Sequence, residues 1–396
     1  MKSRYAKIMK DIVIIGAGTA GANAAAALRM VGFSGKIALV GQEAALPYQR
    51  PPLSKAWLTA PEQPEPTLIH PASFYAEREI ELTLARKAVG IDREECQVRF
   101  SDGGGMRYDA LILATGASPR RLDLPGGTLR GIHYLRDLGD AVDLRRALYH
   151  PDCRAVAIIG AGVIGLEVAS AAIDAGKAVT VIEAAARPMA RVMSPATTNF
   201  ITGRLRQSGI TFLFNRKVES FDAYDDRVTA VSLRDGARIP SDLVLVGVGA
   251  APNDELAREA RLDCANGICV DQNMRSSDPK IFAIGDCAYG ENRFARGRIR
   301  IETIHNAVTQ AQTIAAVLCD RPRPAPVPPR FWSDLKGMKL QVLGIANGYD
   351  SVRCDRSNAP ETLEVRLMEG NRLSAVETVN LPASQSLISK AVAPRA

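Results

Sequence analysis

Cysteine is sparse and unpatterned. Seven occur in 396 residues, at Cys96, Cys153, Cys264, Cys269, Cys287, Cys319 and Cys354, an odd number with no Cys-x-x-Cys spacing. That excludes a disulfide framework and a structural zinc site, and no metal is expected. Long hydrophobic runs are missing too: none approaches the roughly 20 apolar residues a bilayer helix needs. The basic start, Met1 to Lys10, leads into Ile12-Val-Ile-Ile15, but Asp11 interrupts the transition and the apolar run stops at a glycine turn. This is the pattern of a first buried strand rather than a signal peptide, so a cytoplasmic setting is expected. Aromatic residues make up 5% of the chain, and no block of Lys or Arg is interleaved with them. The net charge of +7, from 50 Lys+Arg against 43 Asp+Glu, suits an acidic partner. It falls short of a nucleic-acid-binding signature.

What is present is apolar content, 46% over the chain, enough to bury more than one core and to predict two or three domains. The first informative segment runs Asp11-Ile-Val-Ile-Ile-Gly16-Ala-Gly18-Thr-Ala-Gly21. Its apolar, β-branched start predicts a buried parallel strand, the alanine-rich stretch from Ala22 to Met30 a tightly packed helix, and Lys36-Ile-Ala-Leu-Val-Gly41 a second strand. The same unit returns at Ala155-Val-Ala-Ile-Ile-Gly160-Ala-Gly162-Val-Ile-Gly165, followed by a helix through Ala175 and the strand Ala178-Val-Thr-Val-Ile-Glu183. Further buried strands are read at Leu111 to Ala114, at Leu243 to Gly249 and at Ile281 to Asp286. The proline-rich Arg321 to Pro329 reads as a stiff linker. After it, Met338-Lys-Leu-Gln-Val-Leu and Thr362-Leu-Glu-Val-Arg-Leu alternate like strands.

In a G-x-G-x-x-G turn the first glycine makes the bend, the second lets the backbone approach a pyrophosphate, and the third lets helix and strand pack closely. The following helix offers free N–H groups to the phosphates. One such turn is a weak signal; two, each set between strand, helix and strand, predict two dinucleotide-binding domains. An acidic residue ending the second strand would accept hydrogen bonds from the adenosine ribose. Glu183 stands there in the second unit and favours NADH over NADPH, with Arg187 close by working against that preference. In the first unit either Gln42 or Glu43 could take the place.

The order and spacing of Gly16-Ala-Gly18-Thr-Ala-Gly21, Leu46-Pro-Tyr-Gln-Arg50-Pro-Pro-Leu-Ser-Lys55, Ala114-Thr-Gly116, the second glycine motif with Glu167, Ala283-Ile-Gly-Asp286 and Phe331-Trp332-Ser-Asp334 resemble one family in particular. These are the FAD-dependent ferredoxin and rubredoxin reductases of bacterial oxygenase systems, in the branch that includes putidaredoxin reductase and the biphenyl dioxygenase reductase. The Arg-Pro-Pro-Leu-Ser-Lys and Phe-Trp-Ser-Asp segments discriminate far better than the glycine motifs. The resemblance implies an α/β chain with two Rossmann-type dinucleotide-binding domains, glutathione-reductase-like, plus a small α+β C-terminal domain. Residues 1–118 and 251–325 would bind FAD, 119–250 would bind NADH, and 326–396 would form the last domain.

For FAD the resemblance implies Gly16, Gly18, Ala20 and Gly21 at the pyrophosphate, with Gln42 or Glu43 at the ribose. Arg50, Ala88, Ala114, Thr115, Gly116 and Arg136 add contacts, those of Ala20 and Ala88 through backbone alone. Asp286 would hold a ribityl hydroxyl, and Ile304 and His305 would open a helix facing the electron-rich side of the flavin. Lys55 would lie near flavin N5 and Trp332 beside the ring. For NADH it implies Gly160, Gly162, Ile164, Gly165, Glu183 and Gly249, with Glu167 holding the nicotinamide amide against the flavin. Lys55, Glu167 and Trp332 are the residues expected to act in the reaction.

The implied activity is hydride transfer from NADH to FAD, then single electrons to a small acidic [2Fe-2S] ferredoxin serving an oxygenase, by a monomer or homodimer. Arg321, Arg323, Arg330, Lys336 and Lys339 surround Trp332 in sequence and could make the docking surface. A rubredoxin reductase and a flavoprotein like apoptosis-inducing factor are the alternatives. A disulfide reductase is disfavoured for want of a redox cysteine pair, and an NADH oxidase or peroxidase because Gln42 to Lys55 contains no cysteine. Family members carry an acidic residue where this chain has Gln42, which implies weaker or redistributed adenosine binding.

Overall fold

The computed structural model describes residues 9–355, 361–381, 392 and 394. The short buried runs settle into two parallel five-stranded sheets. The first is ordered Ile281–Ala283, Ala110–Leu113, Asp11–Ile15, Lys36–Val40, Ile80–Thr83, with every neighbouring pair parallel. Two helices, Thr19–Met30 and Ile304–Leu318, pack on it and on each other. Ala22, Ala24, Ala25, Ala307, Ala311 and Ala315 share their core, and such small side chains let helix axes come close. The opposite face carries an antiparallel sheet of Ala88–Asp92, Gln97–Phe100 and Gly105–Arg107, which buries Ile91, Val98 and Phe100 against Val13, Ile15 and Leu111.

The second parallel sheet is ordered Thr211–Phe214, Ala178–Glu183, Ala155–Ile159, Leu243–Val246, Ile132–His133. It repeats the arrangement, with Val163–Asp174 as its first helix and an antiparallel sheet from Val218–Tyr224, Arg227–Leu233 and Arg238–Pro240 covering one face through Val218, Phe221 and Val231. These three-stranded covers carry mixed burial and little periodic signal, which is why the sequence pattern does not announce them. The chain crosses between the two sheets twice, side by side: Ala117–Pro119 pairs antiparallel with Ala250–Pro252. The second crossing returns the chain to the first sheet, which therefore draws strands from both sides of the second. Asn253 clamps the crossings, its Nδ2 donating to the Thr115 carbonyl (2.9 Å) and its Oδ1 accepting from Ser118 Oγ (2.7 Å).

After the linker, the described residues of the C-terminal unit form a five-stranded antiparallel sheet ordered Arg330–Leu335, Met338–Gly344, Arg372–Val379, Leu363–Glu369, Ser351–Asp355. Leu335, Leu340, Leu363 and Val365 enter one core with Leu144, Leu166 and Leu205 of the second unit and with Leu53, Trp57 and Leu58. That core pins residues 51–58 between the units. The fully buried Glu377 adds a polar tie: its carboxylate accepts from Ser194 N (2.8 Å), Ser194 Oγ (2.6 Å) and Thr197 Oγ1 at the start of helix Pro195–Gln207.

Removing that carboxylate leaves buried donors unpaired, at a cost of about 1–3 kcal/mol each way the site can fail to relax. Glu377→Ala is expected to lower the urea midpoint of the transition in which the C-terminal sheet detaches, with Glu377→Gln recovering part of the loss. A midpoint unchanged in Glu377→Ala would show that the tie carries no stability.

Candidate functional site

Both glycine turns are built the same way. Gly16 and Gly160 have φ of +112° and +97°, a region open to glycine, and each donates its N–H back to the second strand, to Val40 O and Ile182 O at 2.8 Å. A Cβ on Gly16 would come within 2.2 Å of Ala114 O, and one on Gly160 within 2.4 Å of Gly247 O. The third glycines are equally crowded: Cβ atoms on Gly21 and Gly165 would meet Gly16 O at 1.9 Å and Gly160 O at 2.3 Å. The middle glycines differ. A Cβ on Gly18 meets nothing within 4 Å, and one on Gly162 only Gly247 O at 3.9 Å. Each turn is thus closed on the inside and presents bare backbone and a helix start on the outside. That shape fits a dinucleotide pyrophosphate.

Around the first turn, Arg136 donates to Asp286 Oδ2 (2.8 Å), and Arg50 donates to the Arg136 carbonyl (2.6 Å) and pairs with Glu43 (2.5 Å). Tyr48 OH donates to the other Glu43 oxygen (2.6 Å) and accepts from Leu138 N (2.9 Å). Glu43 is therefore paired with protein groups and half-buried, whereas the Gln42 side chain is exposed. Gly285, at φ +76°, lies where a Cβ would touch Ala20 Cβ at 2.8 Å, so Asp286 is carried up against the glycine turn. Thr115 Oγ1 donates to the Asn253 carbonyl (2.6 Å), tying the Ala114–Gly116 turn to the interdomain crossing. Ala88 opens the antiparallel cover. Ile304 begins its helix as expected, capped by Thr303, whose Oγ1 accepts from Asn306 N (3.1 Å). Burial pushes the His305 imidazole below its ordinary pKa, and neighbouring Arg330 adds to the effect.

Around the second turn, Glu183 accepts from Ala161 N (2.7 Å) and Ala185 N (2.8 Å), which fixes its carboxylate beside the glycines. Arg187 turns away, donating to the Met193 carbonyl (2.8 Å) and the Ala190 carbonyl (3.0 Å). Ile164 is exposed. Gly249, at φ +105°, lies under the Arg191 guanidinium.

The two halves meet at Glu167, which is 5% exposed. Lys55 Nζ lies 2.7 Å from its Oε1. Ser333 Oγ donates to the same oxygen at 2.5 Å, and Ser54 Oγ donates to Oε2. One carboxylate thus joins the 51–55 segment, the helix after the second glycine turn and the C-terminal sheet. Trp332, next to Ser333 on its strand, faces the other way and is 47% exposed. Of the basic residues near it, Lys336 is held by Asp174, and Arg323 donates to the Gln272 carbonyl (3.1 Å). Lys339 is exposed and forms no ion pair among the described residues.

Residues 10–311 match the pyridine nucleotide-disulphide oxidoreductase family, and 330–396 match the reductase C-terminal family. The chain belongs to the pyridine nucleotide-disulphide oxidoreductases. It is 49% identical to a rubredoxin-NAD(+) reductase of Pseudomonas putida over 377 residues, 95% of this chain and 97% of that one. It is 38% identical to the biphenyl dioxygenase system ferredoxin–NAD(+) reductase component of Paraburkholderia xenovorans, over 98% of this chain and 94% of that one. Among solved structures it resembles the reductase of the covalent putidaredoxin reductase–putidaredoxin complex, with a TM-score of 0.93 at 38% identity, covering 97% and 93%. No helix among the described residues is long and apolar enough to cross a membrane.

Despite the family's name, all seven cysteines are free thiols. Cys287, next to Asp286, is fully buried, with its Sγ directed at the Ile284 (3.3 Å) and Leu113 (3.5 Å) carbonyls. Ser54 and Ser333 went unread in the sequence although both lie inside the two discriminating segments. Asn253 and the buried Arg300, which donates to the Asp286 and Ala250 carbonyls (3.2 Å each), carry no sequence signal.

The duplicated geometry separates two glycine roles. Gly21→Ala and Gly165→Ala are expected to lose several kcal/mol of folding stability through backbone collision, whereas Gly18→Ala and Gly162→Ala should unfold within about 1 kcal/mol of the parent without added dinucleotide. Calorimetry on the four variants checks this, and equal losses at inner and outer positions would refute it.

Proposed function

We propose that this oxidoreductase takes electrons from NADH through FAD and delivers them to a small iron–sulfur ferredoxin of an oxygenase system. The observation that carries the reading is the contact of Lys55 and Glu167 where two dinucleotide-shaped turns converge. When bound, FAD accepts an electron pair as hydride and releases electrons singly, which joins a two-electron donor to a one-electron acceptor. We take 1–118 and 251–325 as the FAD unit, 119–250 as the NADH unit and 326–396 as the docking unit.

The residues then divide by task. The turn of Gly16, Gly18 and Gly21, with Ala20 at the helix start, receives the FAD pyrophosphate. The adenosine ribose falls to Gln42, because Glu43 is taken by Arg50 and Tyr48, and Ala88 lines that end. Ala114, Thr115 and Gly116 bound the ribityl region with Asp286, whose carboxylate Arg136 orients. Lys55 presents a cation toward the flavin and the Ile304 helix start presents N–H groups; both favour negative charge on the ring. On the other side, Gly160, Gly162, Ile164, Gly165 and Gly249 receive NADH. Glu183 accepts from its ribose and repels a 2′-phosphate, and Arg187 is drawn from that phosphate by its bonds to the Met193 and Ala190 carbonyls. Glu167 takes the nicotinamide amide. No general acid, base or nucleophile is required.

Trp332 lies on the exposed side of its strand, so we assign it to the face that meets the partner, with Lys339 and Arg321 beside it in sequence supplying charge for an acidic protein. A rubredoxin is the second candidate partner, supported by the 49% identity to a rubredoxin-NAD(+) reductase; either carrier accepts one electron at a time. A cytoplasmic monomer or homodimer is consistent with this chemistry.

The purified protein is expected to be yellow, to bleach under anaerobic NADH, and to prefer NADH to NADPH by at least about tenfold, with Glu183→Ala eroding that preference. Cytochrome c reduction should rise strongly when a [2Fe-2S] ferredoxin is added and fall as salt is raised. Stronger stimulation by a rubredoxin would reassign the partner. Protein that stays colourless after incubation with FAD would sink the whole reading.

A further inference from the structure

Glu167 has more donors around it than a carboxylate in need of a charge partner requires. An ionised carboxylate offers about four lone-pair sites, two on each oxygen. Oε1 is filled by Lys55 Nζ at 2.7 Å and Ser333 Oγ at 2.5 Å. Oε2 receives only Ser54 Oγ. One acceptor site is left, and it is on Oε2. With Glu167 and Ser333 only 5% and 1% exposed, water is not a ready substitute for either bond.

Ser333 comes from a different part of the chain than the other two donors. Ser54 and Lys55 belong to the segment pinned at Leu53, Trp57 and Leu58, whereas Ser333 sits on the first strand of the C-terminal sheet, paired with Leu340. Without its hydroxyl, Oε1 would regain an open site and the carboxylate could rotate to offer either oxygen.

We propose that Ser333 is a positioning residue for hydride transfer: by filling Oε1 of Glu167 it leaves Oε2 as the single acceptor for the carboxamide N–H of the nicotinamide, and so fixes the orientation of that ring. The assignment deepens the reading above and rests on Glu167 meeting the amide. It also makes the C-terminal sheet a component of the NADH site as well as a docking surface, since Ser333 reaches inward while adjacent Trp332 faces out. Orientation matters steeply in such transfers, because a small misplacement of the reacting atoms lowers the rate far more than it weakens binding.

The test uses the full-length flavin-loaded protein and its Ser333→Ala and Ser333→Thr variants. In anaerobic rapid mixing with NADH, Ser333→Ala should lower the limiting rate of flavin reduction about tenfold, equivalent to about 1.4 kcal/mol, while NADH affinity changes less than about threefold. The long-wavelength absorbance that reports nicotinamide stacked on reduced flavin should weaken in parallel, and Ser333→Thr, which keeps a hydroxyl, should restore both. Enzyme reduced with dithionite should pass electrons to the iron–sulfur partner at the parent rate in all three proteins. Ser333→Ala with parental reduction rate and absorbance overturns the proposal. So does an equal loss in the dithionite-driven step, which would mark a general loosening of the sheet. Failure of NADH to reduce the parent flavin is the separate result that defeats the functional reading itself.

Discussion

The buried Glu167 carboxylate is the constraint on which the arrangement of the chain depends. A charge taken out of water is tolerated only when its lone pairs are met, and losing one partner of such a pair is typically worth about 3–5 kcal/mol when burial is complete. Here the partners come from segments far apart in sequence: Ser54 and Lys55 from the turn after the first sheet's second strand, and Ser333 from the C-terminal sheet. Meeting that one carboxylate therefore requires the three units to stand in a fixed relation. Lys55 is 23% exposed on its side chain, so its share is screened more than that of the two hydroxyls.

The apolar core reinforces the same geometry. Leu53, Trp57 and Leu58 are buried in one core with Leu144 and Leu166 of the second unit, a core that Leu335 and Leu340 of the C-terminal sheet also enter. This gives two short helices, Pro51–Ser54 and Ala56–Thr59, a rigid seat, and it places Lys55 between them without a long element to carry it. Glu377 makes a second polar tie between the C-terminal sheet and the second unit, through hydroxyl and backbone donors of a helix start. The two carboxylates make the C-terminal sheet an integral wall of the molecule even though a proline linker connects it.

The duplicated glycine turns show how little chemistry the protein itself must supply. Each is a backbone shape that closes inward by steric necessity and leaves its outer surface free. What distinguishes the two is the decoration at the second strand's end, Glu183 held by the backbone N–H groups of Ala161 and Ala185 in one and Glu43 paired with Arg50 and Tyr48 in the other. This difference between the turns is decided by side chains on separate loops.

The sequence by itself determined the two strand–turn–helix–strand units and the family, because a G-x-G-x-x-G turn between apolar runs has few physical solutions and the Pro-Pro-Leu-Ser-Lys and Phe-Trp-Ser-Asp segments are specific. It also named Lys55, Glu167, Glu183 and Asp286 singly. The three-stranded covers escaped it, since short strands with mixed burial have no clear period. Only the tertiary structure decided that Lys55 and Glu167 touch, that Arg187 turns from Glu183 to backbone carbonyls, that Lys336 is held by Asp174, and that Ser54 and Ser333 complete the carboxylate's shell. Apart from the local turn of Arg187, those facts depend on segments brought together by packing across more than a hundred residues, and a serine's hydroxyl has no pattern in one dimension that says which oxygen it will meet.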